Sequence, residues 1–270
     1  MTILNHFKTK IAVTFWVMGF CGVTSICAQS GQRPNTVLDF SPDHIRSILV
    51  DKSGTKEAEQ QGYARHLQLF VPGKGVDRLD SRILCPDIKR VKVSEAVLMT
   101  PGHHAVLEID SPSCQYVFLV VLKHNESQWS YIDTMPLWSK DIQPETSLES
   151  LVDNSTQEIV VRGVEVDYGT GIFVKNFMIL KLFPEGLRVV MDEPKDVSFE
   201  IPSKGRVGAN ARQRQKSQFK IVRSDEGSAA IRSILEEQTI SDHNVKVVRW
   251  WLYTWSPEVK KFRAYPTLAN

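Results

Sequence analysis

Two stretches of this chain, Ile172 to Phe183 and Val245 to Trp255, carry apolar side chains at odd and even positions alike. Both are rich in β-branched and aromatic residues and read as strands. Successive side chains of a strand point to opposite faces. In the first stretch Ile172, Val174, Met178 and Leu180 therefore line one face, and Phe173, Phe177, Ile179 and Phe183 the other. In the second, Val247, Trp251, Tyr253 and Trp255 oppose Val248, Trp250 and Leu252. A strand that is apolar on both faces is expected to be covered on both faces. A lone sheet with one wet side does not supply that. A sandwich with a covering helix does, and so does a strongly curved sheet.

The rest of the chain agrees with a β fold. Further candidate strands are Arg65 to Val71, Val91 to Met99, His104 to Ile109, Tyr116 to Lys123, Trp129 to Asp133 and Glu158 to Tyr168. Leu187 to Met191, Val197 to Ile201, Phe219 to Val222 and Val259 to Tyr265 complete the set. Pro-Gly, Gly-Thr-Gly, Pro-Glu-Gly and Ser-Pro-Glu turns punctuate them. Helical spacing occurs twice. Ser41 suits an N-cap, Pro42 the first helical position, and Ile45, Ile48 and Leu49 share a face with Phe40 as a staple. Between Ser228 and Gln238, Ile231, Ile234 and Leu235 share a helical face. The prediction is a mainly β protein, an antiparallel sandwich or strongly curved sheet with two short helices. A β-rich domain spans residues 29–202. A basic connector, SKGRVGANARQRQKS, covers 203–217 and carries five basic residues and no acid. Residues 218–270 are expected to form a helix plus a β-hairpin packed on the same domain.

Residues 1–28 read as a cleavable signal peptide. Lys8 and Lys10 precede an apolar run from Ile11 to Val23, and small or polar residues lead to Ala28. The run is shorter and more interrupted than the roughly 20 apolar residues a membrane span needs. No transmembrane segment is expected after cleavage, and the predicted location is extracytoplasmic, periplasmic or secreted. The chain has 33 basic and 31 acidic residues. The leader takes two of the basic ones, so the remainder is balanced. That removes the electrostatic motive for binding nucleic acid or an anionic membrane. Two of the four cysteines also leave with the leader. Cys85 and Cys114 remain, and in an oxidising compartment they read as a disulfide. The competing reading is a catalytic thiol near His103 and His104.

From Leu148 to Pro194 the chain has an acidic turn, Asp153-Asn154, then Glu158 before Ile159-Val160-Val161, a glycine-containing turn and a long apolar strand. This resembles a degenerate FG-GAP or VCBS-type β-blade of exported bacterial proteins. Tyr253-Thr254-Trp255-Ser256-Pro257 followed by Phe262 resembles the closing hairpin of related proteins of unknown function. Such blades often hold calcium, which takes six to eight oxygens around a tight turn. Here Asp153, Asn154 and Glu158 are the only candidates and the turn has no glycine, so no metal and no cofactor are expected. The unit is not visibly repeated, which argues against a full propeller.

The chain has no nucleophile elbow, zincin helix, P-loop or dinucleotide glycine pattern. Ser217-Gln218-Phe219-Lys220 matches S-x-x-K but opens a predicted strand. His103 and His104 are adjacent, so in a strand they face opposite ways. Asp133, Glu165, Asp167 and Asp192 lie near predicted strand ends, and none is assigned a catalytic role. Trp251, Tyr253 and Trp255 alternate on one strand face. If exposed, they make a platform for sugar rings or a protein partner; if buried, they are core. The leading expectation is an exported, noncatalytic protein that binds a glycan or an envelope protein, or has a structural role in the envelope. The alternative is a secreted hydrolase acting on glycans through a carboxylate pair.

Overall fold

The computed structural model describes residues 38–72, 82–85, 87–139, 143–167, 172–200, 212–223, 232–242 and 245–267. The predicted leader and residues 203–211 of the basic segment lie outside them. Two helices come first, α1 (Pro42–Leu49) and α2 (Glu57–His66). A short antiparallel ribbon follows, β1 (Phe70–Pro72) and β2 (Arg82–Leu84). Four strands then form one sheet in chain order: β3 (Arg90–Ala96), β4 (His103–Ser111), β5 (Tyr116–Asn125) and β6 (Gln128–Trp138). An eight-stranded meander completes the fold. Its strands are β7 (Glu145–Glu149), β8 (Glu158–Asp167), β9 (Ile172–Phe183), β10 (Gly186–Glu200), β11 (Arg212–Arg223), β12 (Arg232–Asp242), β13 (Val245–Ser256) and β14 (Lys261–Thr267). Every pairing is antiparallel. The end strands β7 and β14 do not pair with each other, so the large sheet is open. The fold is the expected mainly β, antiparallel sandwich with two short helices. Among the described residues no helix is long and apolar enough to cross a membrane.

Alternation on the strands creates three apolar layers. Ala105, Leu107, Ile109, Phe118, Val120 and Leu122 point from the small sheet into a core roofed by Ile45, Ile48 and Leu49 of α1 and Tyr63 of α2. The opposite face of the small sheet, with Val106, Leu119 and Val121, meets Ile159, Val161, Met178, Leu180 and Leu182 of the large one. The other face of β8–β10 is then covered by the large sheet itself: Val160, Phe177, Ile179 and Met191 pack against Ile234, Tyr253 and Phe262. The β9 residues Met178 and Leu180 and the β9 residues Phe177 and Ile179 are thus buried in different layers, as the apolar pattern on both faces requires.

β13 departs from that expectation. Its inner face is packed, but Val247 and Val248 are 40% and 43% exposed. The first half of this strand projects beyond the layers that cover β9. The helices also differ from the prediction. The expected helix at Ser228 to Gln238 is instead strand β12, because pairing along β11 and β13 outweighs a weak three-residue helical pattern. The second helix is α2, whose sequence EAEQQGYARH buries only Tyr63 and Ala64 and so carries little periodic signal. The predicted strand start at Arg65 is the end of that helix. Residues 212–217 of the expected connector belong to β11, and β7 is an additional strand. The candidates Leu187 to Met191 and Val197 to Ile201 are one 15-residue strand, β10. Register shifts between Val189 and Met191 and between Pro194 and Asp196 bend it without breaking it.

Polar contacts fasten the two sheets. Thr146 donates to Glu108, which also pairs with Lys92 at 2.7 Å. Gln143 bridges Arg90 and Asp110. Asp133 accepts from the Leu187 N–H at 2.7 Å. It does so through Gly186, whose φ is +126° and where a Cβ would lie 2.6 Å from the Asp133 Oδ2. Cys85 and Cys114 are at disulfide distance with Cα atoms 6.0 Å apart, as predicted. That link ties the residue after β2, which is part of the core beneath the helical roof, to the β4–β5 turn and excludes a free catalytic thiol in this state. A loop of this length is worth roughly 3–4 kcal/mol on the chain-entropy account.

Candidate functional site

One end of the small sheet carries an open site. Strands β5 and β6 join through a two-residue turn at Glu126 and Ser127, with Glu126 at φ +46°. Cross-strand register sets His103 opposite His124, and His124 opposite Trp129. The residues form a row across the three strands, and their rings close into a triangular cluster, with centroids 6.2 Å apart for the two imidazoles, 4.9 Å for His124 and Trp129, and 5.6 Å for His103 and Trp129. The row continues outward from the core positions Ala105, Leu122 and Tyr131, with His124 and Trp129 half-buried and His103 exposed. His103 Nε2 lies 3.5 Å from the Glu95 carboxylate. Beside the row is an open depression of about 480 Å³, lined by Pro101, Gly102 and residues 123–130. Aromatic faces with ring N–H donors at their edges suit a ligand that is apolar on one side and hydroxylated at its rim.

His104 lies on the opposite face of β4 from His103, as adjacency in a strand requires. It is fully buried. Its Nδ1 accepts from the Leu98 N–H at 3.3 Å, and its Nε2 has no partner. Burial holds its pKa below the usual value, with Lys123 and His103 acting in the same direction. Among the described residues no group of three His, Cys, Asp or Glu side chains could hold a metal ion.

A second polar cluster lies inside the curl of the large sheet. Glu236 of β12 is buried and accepts from the Tyr253 hydroxyl at 2.6 Å and from the Ser217 hydroxyl at 2.5 Å. Glu193 of β10 faces the same space. Burial, Glu236 and Asp192 together push its carboxyl up to about 7. Burial and the two glutamates raise the Tyr253 hydroxyl well above its usual value. Neither glutamate stands out in the sequence, since Glu236 sits in the pattern that reads as a helix and Glu193 in an apparent break between strands. The β-branched Ile234, Thr239 and Ile240 are the signal that favours a strand there.

The predicted platform faces inward. Tyr253 is core, and Trp251 and Trp255 are half-buried against the same cluster, so the row is not a flat exposed face. The acidic turn is committed to its own backbone. Asp153 accepts from the N–H and hydroxyl groups of Ser155 and Thr156. Glu158 is fully buried and takes Lys181 at 2.6 Å and the Leu151 N–H at 2.8 Å. Asp133 serves the sheet seam, and Asp192 accepts from Asn176 at 2.7 Å. The side chains of Glu165 and Asp167 lie outside those described. Ser217 is spent on Glu236, and Lys220 is exposed on the other face of β11. No known protein family, curated protein or solved structure matches the chain.

Proposed function

We propose that this is an exported, noncatalytic binding protein of the bacterial envelope that recognises saccharide through the His103–His124–Trp129 row. The observation that carries the reading is the row itself, three rings in cross-strand register beside an open depression. The Cys85–Cys114 pair and the leader-like residues 1–28 support an oxidising, extracytoplasmic location. The blade-like stretch from Leu148 to Pro194 supports kinship with exported proteins. Titration of the chain, freed of its leader, against a panel of glycans and peptidoglycan fragments tests this. A ligand should bind, and Trp129→Ala should weaken it at least tenfold, about 1.4 kcal/mol. Binding that Trp129→Ala leaves unchanged would sink the assignment of the row.

A second reading, a hydrolase acting on glycans, is favoured by the two glutamates in the curl. A carboxyl raised to about 7 beside another carboxylate is the arrangement of a general acid and its partner. Product release from the same panel, abolished by Glu236→Gln, supports it. Binding without release discards it.

A further inference from the structure

The large sheet consists of a base and an arm. β7–β10 pack against the small sheet, whereas β11–β14 hang from the far half of β10 and fold back over the base. β10 pairs with β11 only from Asp196 to Glu200. Just before that segment lie the two register shifts, after Val189 and after Pro194. Glu193 stands between the shifts, at the bend from which the arm departs. Glu193 pairs across the ladder with Phe177, whose ring stacks on Phe219 of the arm at 4.4 Å, so it shares the inner layer into which the arm brings Tyr253 and Glu236, joined by a hydrogen bond, with Ser217 completing the set.

We propose that Glu193 is a proton-operated latch, closing the β11–β14 arm onto the base when it is protonated and loosening it when it is charged. When Glu193 releases its proton to solvent, a second carboxylate forms beside Glu236 in a space walled by Phe177, Phe219 and Ile234. Two like charges there repel across the hinge, and each loses solvation while the arm is closed. The elements packed around Glu193 bring mostly acidic or neutral groups to it. β12 brings Glu236 and, four residues before it on the same face, Arg232, which lies 3.7 Å from Glu149; β13 brings Tyr253, and Asp192 adjoins on β10 itself. β11 contributes Ser217 and Phe219, and the inner side of β14 presents Phe262. Along the same faces, Arg162 of β8 donates to Ser147 and lies over the Phe177 ring. Lys175 of β9 lies two residues before Phe177 and has its own interactions, and Arg249 of β13 is exposed. The groups that raise Glu193 are burial and the two acids.

The sign is fixed by the direction of that displacement. The closed form holds the proton more tightly than the open form, whose carboxyl has the ordinary value of 4.5. The latch is therefore fully engaged below about 4.5 and is lost as pH rises through about 7. Each unit of displacement is a tenfold change in the closing equilibrium, about 300-fold at most over the window, and the partial exposure of Glu193 reduces this to on the order of 10- to 100-fold. The latch stands whether or not the His103–His124–Trp129 row binds saccharide, and it uses the carboxyl pair on which the hydrolase reading rests.

Hydrogen exchange by mass spectrometry on the full chain between pH 5 and pH 8.5, corrected for intrinsic exchange, tests it. Peptides from β11–β13 should lose protection on the order of 10- to 100-fold as pH rises through 7, while β4–β5 peptides lose none. Glu193→Gln should keep the arm protected throughout, and Glu236→Gln should move the midpoint downward. Arm protection that is flat across the range, or a transition that survives in Glu193→Gln, overturns the latch. If Glu193→Gln does not fold by circular dichroism, infrared spectra of the unaltered protein decide. A protonated carboxyl band persisting above pH 6 upholds the latch, and its absence overturns it.

Discussion

The base and the arm of this molecule are held by different forces. At the base, Leu119, Val121, Ile159 and Leu180 are essentially fully buried between two sheets, and polar contacts run around the seam. In the arm, one face of each strand packs, and the inner layer contains Glu236, Ser217 and Tyr253 among its apolar residues. The base closes chiefly on area removed from water, with the buried His104 as its pH-sensitive group. The arm depends on the protonation of a few groups, because buried carboxylates cost free energy whenever they are charged and unpaired.

The largest effect should come from breaking the base. Leu119→Ala deletes a fully buried side chain between the two sheets and should cost about 4 kcal/mol in urea unfolding. A loss under 1 kcal/mol would mean the base is looser than its packing implies. Replacing Cys85 and Cys114 together by alanine should cost about 3 kcal/mol, read as a lowered urea midpoint. An unchanged midpoint would show that the roof needs no tether. Asp133→Ala strands the Leu187 N–H at the sheet seam and should cost about 1–2 kcal/mol.

The two regions should also respond oppositely to pH. His104, in the base, has a folded pKa below 6.5, so the unfolded chain takes the proton first on acidification. Its contribution is present above about 6.5 and is lost as pH falls. Base stability should decline in that direction, and His104→Gln should flatten the decline in a pH series of urea midpoints. The arm moves the other way through Glu193. The smallest effect belongs to the exposed half of β13, where Val247→Ser should change stability by less than about 0.5 kcal/mol. A larger loss would reveal a covering contact.

Much of this was legible because it is local or obligatory. α1 is marked by Ser41, Pro42 and three apolar residues one turn apart. The observed start agrees, although Asp39 rather than Ser41 supplies the side-chain acceptor, taking the Ser41 N–H at 2.8 Å. The cysteine pair follows from counting once the leader is set aside. α2 escaped detection because a helix that buries a single turn needs no amphipathic stripe. β12 was misread because strand preference is largely a matter of neighbours, and its neighbours are β11 and β13. The His103–His124–Trp129 row requires register across three strands, and the Glu193–Glu236 pair joins residues 43 apart through a bend in β10.

β9 shows where that boundary falls. Its sequence alone determined that both of its faces would be covered, because apolar side chains on either side of a strand are unstable in water. What covers them was decided only in three dimensions: the small sheet on one face, and the chain's own later strands on the other. β13 has nearly the same pattern and is left half open, because it lies one strand from an edge and projects past the layers beneath it. Composition states which surfaces seek burial, and topology decides which of them find it.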